Sequence, residues 1–518
     1  MSMGMQNKKS IEQNHQSALG TPAIFRAHSV LQHIPKHLQR WQAISSCASP
    51  EDIRGKSAPP ALEGRPSFVY FSWARKKSKS PKAQIHKWIS LISPRRIMPW
   101  YFFFISLFLI STALPTRADK LLIPMDLSQA DHLKAYGIAY WTLQKGMEIE
   151  WLLNYKGGSF FMDYDEAIAL EARVRAVSFQ RISGGDAARI YAEIDAENMN
   201  RMHLEKAPKI AVYTPPSKQP WDDAVTLALT YAEIPYDTLW DEEVLSGKLE
   251  DYDWLHLHHE DFTGQYGKFY RSNGTQLWYR QQQATFETLS HKLGYAKVSQ
   301  FKGAVALSIF NYIQDGGFLF AMCSATDTFD IALSAQSIDI VDSVYDGDGM
   351  DPQAQQKLDF SRTMAFENFT LVTDPMEYEH SDIDISPTEL NQIHNADTDA
   401  FTLFEFSAKY DPVPTMLTQN HTPIISGFLG QTTAFNKNKI KKNIIILGNL
   451  PGSDQVKYIH GGVGRGTFTF YAGHDPEDYQ HFVNDPPTQL ALHKNSPGYR
   501  LILNNILFPA AKKEKQKT

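Results

Sequence analysis

Gly316-Gly317-Phe318-Leu319-Phe320-Ala321-Met322-Cys323 is an apolar run that passes at once into Ser324-Ala325-Thr326-Asp327-Thr328-Phe329-Asp330-Ile331-Ala332-Leu333. The first part is continuous and apolar, as a strand buried on both faces requires. The second has the character of a helix. A nucleophile at such a junction, flanked two residues away on each side by small residues, is held exposed by a tight elbow turn. Cys323 occupies the junction, and Ala321 and Ala325 are the small residues. The plain alternative is a cysteine packed as a small hydrophobe. The elbow reading predicts a strand over 317–322, a helix over 324–334, and Cys323 as nucleophile.

The same alternation continues on both sides. Residues 209–213, 236–240 and 252–258 read as strands. Residues 221–234 read as a helix with Ala224, Leu227, Ala228 and Tyr231 on one face, and 303–314 as another. Residues 443–447 and 466–471 are late strands, and 499–508 a closing helix. This order predicts an α/β fold with a doubly wound, mainly parallel sheet over 207–510. Ligands of such sheets sit at the carboxyl ends of the strands, where Cys323, His258 and His474 fall. A strand–helix–strand pattern (121–125, 131–145, 148–155) marks a preceding α/β unit over 119–206. Residues from about 337 to 440, rich in Asp, Thr, Asn and Pro, read as a large insertion in the position of a lid. Residues 511–518 are a solvated charged tail.

Two further clusters carry chemistry. Gly473-His474-Asp475-Pro476-Glu477-Asp478 follows the strand at 466–471. An imidazole there takes the thiol's proton, and a carboxylate fixes its tautomer, which makes His474 the general base and Glu477 the orienting acid, with Asp475 second. His256-Leu257-His258-His259-Glu260-Asp261 ends a strand whose alternation puts His256 and His258 on one side. His258, His259, Glu260 and Asp261, with Asp475, are the candidate substrate-binding groups. The competing reading joins His258, His259 and Asp261 to His474 as a zinc-type site of a metal-dependent hydrolase. The spacing matches no closed ligand pattern, so the expectation is no cofactor. Ser183-Gly184-Gly185-Asp186 lacks the order of a pyrophosphate loop. Asp346-Gly347-Asp348-Gly349-Met350-Asp351 lacks the length and terminal Glu of an EF-hand.

Charge divides the chain. Residues 1–97 carry a net +12 and the rest −18, and that acidic body argues against nucleic acid as the main partner. Between the two parts, Arg95-Arg96-Ile97-Met98 gives a basic flank, residues 101–114 are apolar apart from hydroxyls, and Pro115-Thr116-Arg117-Ala118 offers a small-residue cut point. These are the three parts of a secretory signal peptide over 98–118. The expectation is Met98 as the true start, cleavage after Ala118, and a periplasmic or secreted protein, anchored to a membrane only if the signal stays uncleaved. Cys47 lies in the doubtful extension, so the mature chain keeps one thiol, a candidate reactive group in an oxidising compartment.

Together, the strand–Cys323–helix unit and the strand ending in Gly473-His474-Asp475-Pro476-Glu477 resemble the class I glutamine amidotransferase-like superfamily. That resemblance implies a Cys-His-Glu triad on a flavodoxin-like sheet. Over nearly the whole mature chain, Leu121-Leu122-Ile123-Pro124-Met125-Asp126, Trp254-Leu255-His256-Leu257-His258-His259-Glu260-Asp261 and Phe320-Ala321-Met322-Cys323 resemble an exported Bacteroidetes-type family commonly labelled asparagine synthetase B. True asparagine synthetases carry an amino-terminal cysteine and an ATP-pyrophosphatase loop, and neither is present. The expected activity is therefore cysteine-dependent amide or ester hydrolysis or transfer on a small-molecule, peptide or glycan substrate. A non-catalytic ligand-binding module on the same fold is the remaining alternative.

Overall fold

The computed structural model describes residues 119–216, 219–385, 398–480 and 482–512. The extension over 1–97, the signal segment over 98–118, Cys47 and the tail from 513 lie outside the described residues. Among the described residues no helix is long and apolar enough to cross a membrane.

The unit over 119–206 runs β1 (Lys120–Ile123), α1 (His132–Gln144), β2 (Ile149–Leu153), β3 (Ser159–Asp163), α2 (Glu166–Val174), β4 (Gln180–Ile182), α3 (Gly184–Ala196) and β5 (Asn200–Leu204). Its five strands pair in the order β4-β1-β3-β2-β5, every pairing antiparallel. Each helix starts where a short polar side chain accepts first-turn N–H groups: Asp131, Asp165 and Ser183. The Ser183-Gly184-Gly185-Asp186 stretch is thus a helix cap.

The larger sheet collects β6 (Ile210–Tyr213), β7 (Asp237–Leu239), β8 (Trp254–Leu257), β9 (Phe318–Met322), β10 (Ala400–Leu403), β11 (Ile424–Ser426), β12 (Phe435–Asn436), β13 (Ile445–Asn449), β14 (Gln455–Val463) and β15 (Gly466–Tyr471). Its order is β11-β10-β13-β14-β15-β9-β8-β6-β7, with β12 paired to β14. Among the helices between these strands are α4 (Ala224–Ala232), α5 (Asp241–Leu245), α6 (Leu277–Lys292), α7 (Val298–Gln314) and α8 (Ala325–Ser334), and α9 (Pro497–Leu507) follows the last strand.

This topology corrects the expected doubly wound, mainly parallel, flavodoxin-like sheet. β7, β6, β8, β9 and β15 are parallel neighbours. The pairings β15–β14, β14–β13, β13–β10, β10–β11 and β12–β14 are all antiparallel. With a wholly antiparallel second sheet, the architecture is mixed and mostly antiparallel. The physical reason lies at Gly464-Arg465. These two residues join Val463 to its partner Gly466, and a two-residue link can only reverse the chain. Gly464 supplies the positive φ (59°) of that turn. The insertion over 337–440 is likewise not separate from the sheet, because it supplies β10, β11 and β12.

Alternation sorts the parallel strands onto two cores. Ile210, Val212, Trp254, Phe318, Phe320 and Met322 face α4, α9 and α1 of the antiparallel unit. Ala211, Tyr213, Leu255, Leu257, Leu319 and Ala321 face α7 and α8. Strands buried on both faces read as unbroken apolar runs, which is why these were legible.

A buried ion pair stiffens the second face. Lys302 of α7 donates to Asp241 of α5 at 2.7 Å, and both are at most 2% exposed. The Tyr213 hydroxyl also donates to Asp241, and the Trp240 and Phe286 rings lie 4.3 and 4.5 Å from the ammonium. Removing one partner strands a buried charge, so K302A and D241A are each expected to lose about 3–5 kcal/mol of stability. The double variant should lose less than the sum, as measured by denaturant unfolding; strict additivity would show that the pair is not coupled.

Candidate active site

Two backbone hydrogen bonds gather three distant segments at the carboxyl ends of β8, β9 and β15. The Cys323 N–H donates to Gly473 O at 3.2 Å, and the Ala325 N–H donates to His258 O at 3.1 Å. Gly473 has φ 92°, and a side chain there would strike the Phe428 ring at 2.4 Å. Only glycine suits that position, and it fixes where His474 emerges.

Cys323 sits at the strand-to-helix junction with φ 50°, a left-handed conformation costly for a residue with a Cβ. That geometry fits an elbow. The chemistry around the sulfur does not favour a thiolate. Cys323 is 3% exposed, and burial pushes its thiol up to about 12. The Asp327 and Asp384 charges push the same way, against Ser324 and Gln431 N–H groups. Asp384 is itself held well above the ordinary carboxyl value by burial and the Asp327 charge. Both acids bind Thr432, through its hydroxyl (2.9 Å) and its N–H (2.8 Å) respectively. Burial lowers nearby Lys457 to about 7.

The two carboxylates expected to orient His474 each meet other partners. Glu477 Oε2 lies 2.9 Å from Nδ1 of His493. Asp475 accepts from Glu477 N–H and from the Tyr499 hydroxyl, each at 2.8 Å. Glu477 and Asp475 thus each have a partner other than His474, and Asp475 is fully buried.

The three imidazoles do converge. The ring centroids of His258 and His474 are 4.1 Å apart, those of His258 and His259 4.7 Å, and those of His259 and His474 5.5 Å. One nitrogen from each lies within 4.8 Å of the others. Tetrahedral zinc with bonds of about 2.0–2.1 Å would draw such nitrogens to roughly 3.3 Å apart, a closure that ring rotation supplies. Asp261 is not part of this set. Its carboxylate accepts from Thr263 and Gly267 N–H groups and lies 3.7 Å from His380. Burial would raise it, but His380 and Thr263 hold it well below the usual range. Glu260 accepts from His258 N–H at 2.7 Å, and burial, with the Asp223 charge, pushes it up to about 8.

Asp223 is the residue that the sequence reading missed. It caps α4, accepting from Val225 and Thr226 N–H groups. Its two oxygens also lie 3.2 Å from His256 Nε2 and 3.3 Å from His258 Nδ1. Burial would raise this carboxyl, yet the two imidazoles hold it well below its ordinary value. His256 in turn faces Phe320 O at 3.1 Å. The only signal in the sequence was an acid at a helix start, which capping alone explains. The acidic loop at 346–351 has a simpler fate: Asp339, Asp346 and Asp348 close on Lys297.

No protein-family model and no curated protein matches this chain. Among solved structures, it is similar to the Cytoplasmic Protein STM3548 from Salmonella typhimurium at 11% identity and TM-score 0.29, covering 59% of this chain and 100% of that one. The Cytoplasmic Protein STM1381 from Salmonella typhimurium LT2 gives 11% and 0.28, with the same coverage. Gan42B, a GH42 beta-galactosidase from G. stearothermophilus, gives 10% and 0.21, covering 52% of this chain and 28% of that one. Superpositions this loose leave fold and site to be argued from the residues.

Proposed function

We propose that this protein is a hydrolase that works with a divalent transition metal held by His258, His259 and His474. The observation that carries this reading is the convergence of three imidazole nitrogens within 4.8 Å of one another, with a carboxylate behind one of them. Imidazoles suit zinc and its neighbours, and three protein ligands leave a position open for chemistry. The ion would supply Lewis acidity, lowering the pKa of water and polarising a carbonyl. The chain's own groups prepare the site. Asp223, 3.3 Å from His258 Nδ1, accepts that ring's proton and turns the Nε2 lone pair inward, the usual office of a carboxylate behind a ligating histidine. The same carboxylate also lies 3.2 Å from His256 Nε2, which helps to fix its own position. The export signal read at 98–118 supports action outside the cytoplasm.

Purified protein is expected to hold one equivalent of zinc, or of a related metal, by elemental analysis. Chelation should remove ester or amide hydrolysis, and the metal should restore it. Full turnover by metal-free protein would overturn the proposal. D223N should weaken metal binding by roughly 10–100-fold while leaving all three ligands in place, as read by competition with a chromogenic chelator.

A second reading rests on one observation, the positive φ of Cys323 at its strand–helix junction, and is supported by the resemblance to amidotransferase-like proteins. In it, Cys323 attacks an amide or ester carbonyl to form a thioester. A thiol raised to about 12 predicts very slow alkylation. In a C47S background, iodoacetamide should label native Cys323 at pH 7.5 about a thousandfold more slowly than the unfolded chain, whose thiol has an ordinary pKa. Fast native labelling together with loss of turnover in C323A would favour the thiol over the metal.

A further inference from the structure

We propose that Trp221 decides whether His259 can serve as the third metal ligand. This inference rests on the histidine-site reading above and assigns Trp221 a positioning role that acts through His259. The indole Nε1–H donates to Nε2 of His259, and the two rings meet edge-on with centroids 4.9 Å apart. A neutral imidazole that accepts at Nε2 carries its proton at Nδ1. In that tautomer neither nitrogen presents a lone pair to an ion. Ligation by His259 therefore requires the indole to turn away.

The surroundings of Trp221 fit such a movement. It stacks on Phe269 at 5.4 Å and meets Trp278 edge-on at 5.5 Å. Phe269 in turn meets Tyr378 at 5.8 Å. None of these four rings is fully buried, so the group can shift without opening a core. Two residues further on, Asp223 is pinned by the α4 cap and by His256 and His258. One short segment thus carries a fixed carboxylate for His258 and a displaceable donor for His259. The site has two states: the indole on His259 with two imidazoles facing the ion, or the indole withdrawn and all three ligating.

The test uses the full chain freed of metal and titrated with Co2+, following d–d absorption and tryptophan fluorescence together. The wild type is expected to develop a tetrahedral Co2+ spectrum with a parallel fluorescence change. W221F keeps the ring but removes the donor. It should lose that fluorescence change and bind Co2+ roughly three- to tenfold more tightly, the net worth of one hydrogen bond. W278F disturbs the same aromatic group without touching His259, and should leave the affinity unchanged. Equal Co2+ affinity in wild type and W221F would overturn the role of Trp221 while leaving the histidine site standing, and so would equal tightening in W278F. Failure of wild type and both variants to bind Co2+ would instead remove the histidine-site reading itself.

Discussion

The paired hydrogen bonds from Cys323 N–H to Gly473 O and from Ala325 N–H to His258 O are the constraint on which the site depends. They link the first turn after β9 to the strand ends on either side of it. Parallel neighbours in register place their carboxyl ends together, but the chain beyond those ends is free to diverge. These two bonds remove that freedom. The left-handed backbone at Cys323 is the conformation that makes them, which gives the strained residue a structural role whether or not its sulfur reacts. His258 and His474 then emerge beside each other because their own backbones are held to one short segment.

Much of the parallel half was legible because its strands are buried on both faces. Runs such as Phe318-Leu319-Phe320-Ala321-Met322 leave no alternative to a central strand. The late strands were harder. Gln455–Val463 mixes Gln, Lys, His and glycines, yet Lys457 and His460 are both about 3% exposed. Lys457 is reconciled with burial by donating to Phe428 O at 2.7 Å, with the Phe428 ring against its ammonium. His460 is reconciled by Thr469. Partners recruited from elsewhere in the fold hide such a strand from any reading based on hydropathy. Gly464-Arg465 was the local clue, and recognising that turn would have revealed β14 as an antiparallel neighbour of β15 and with it the class of the sheet.

Cys323 and the histidines stood out in the sequence, and Asp223 did not. Histidines at a strand end stand out because they interrupt an apolar run. A carboxylate at a helix start does not, because N-capping already accounts for it. Asp223 does both jobs with one side chain, and only the packing of α4 against the His256 face of β8 brings the second job into being. Glu477, three residues from His474 in sequence, also has a partner distant in sequence, His493.

The two candidate chemistries also differ in what the surroundings already provide. Ionising a thiol raised to about 12 at neutral pH costs about 7 kcal/mol at 1.36 kcal/mol per unit. Ionised Asp327 and Asp384 would add to that cost, and the nearby Lys457 ammonium is itself lowered to about 7 by burial. The imidazoles meet the opposite situation. Asp223 is held ionised between His256 and His258, so negative charge is already in place behind the rings where a positive ion would sit. An environment that opposes one charge and awaits the other is an argument about function independent of any resemblance. That contrast supports the proposal that the imidazoles carry the chemistry and that Cys323 shapes the turn that holds them.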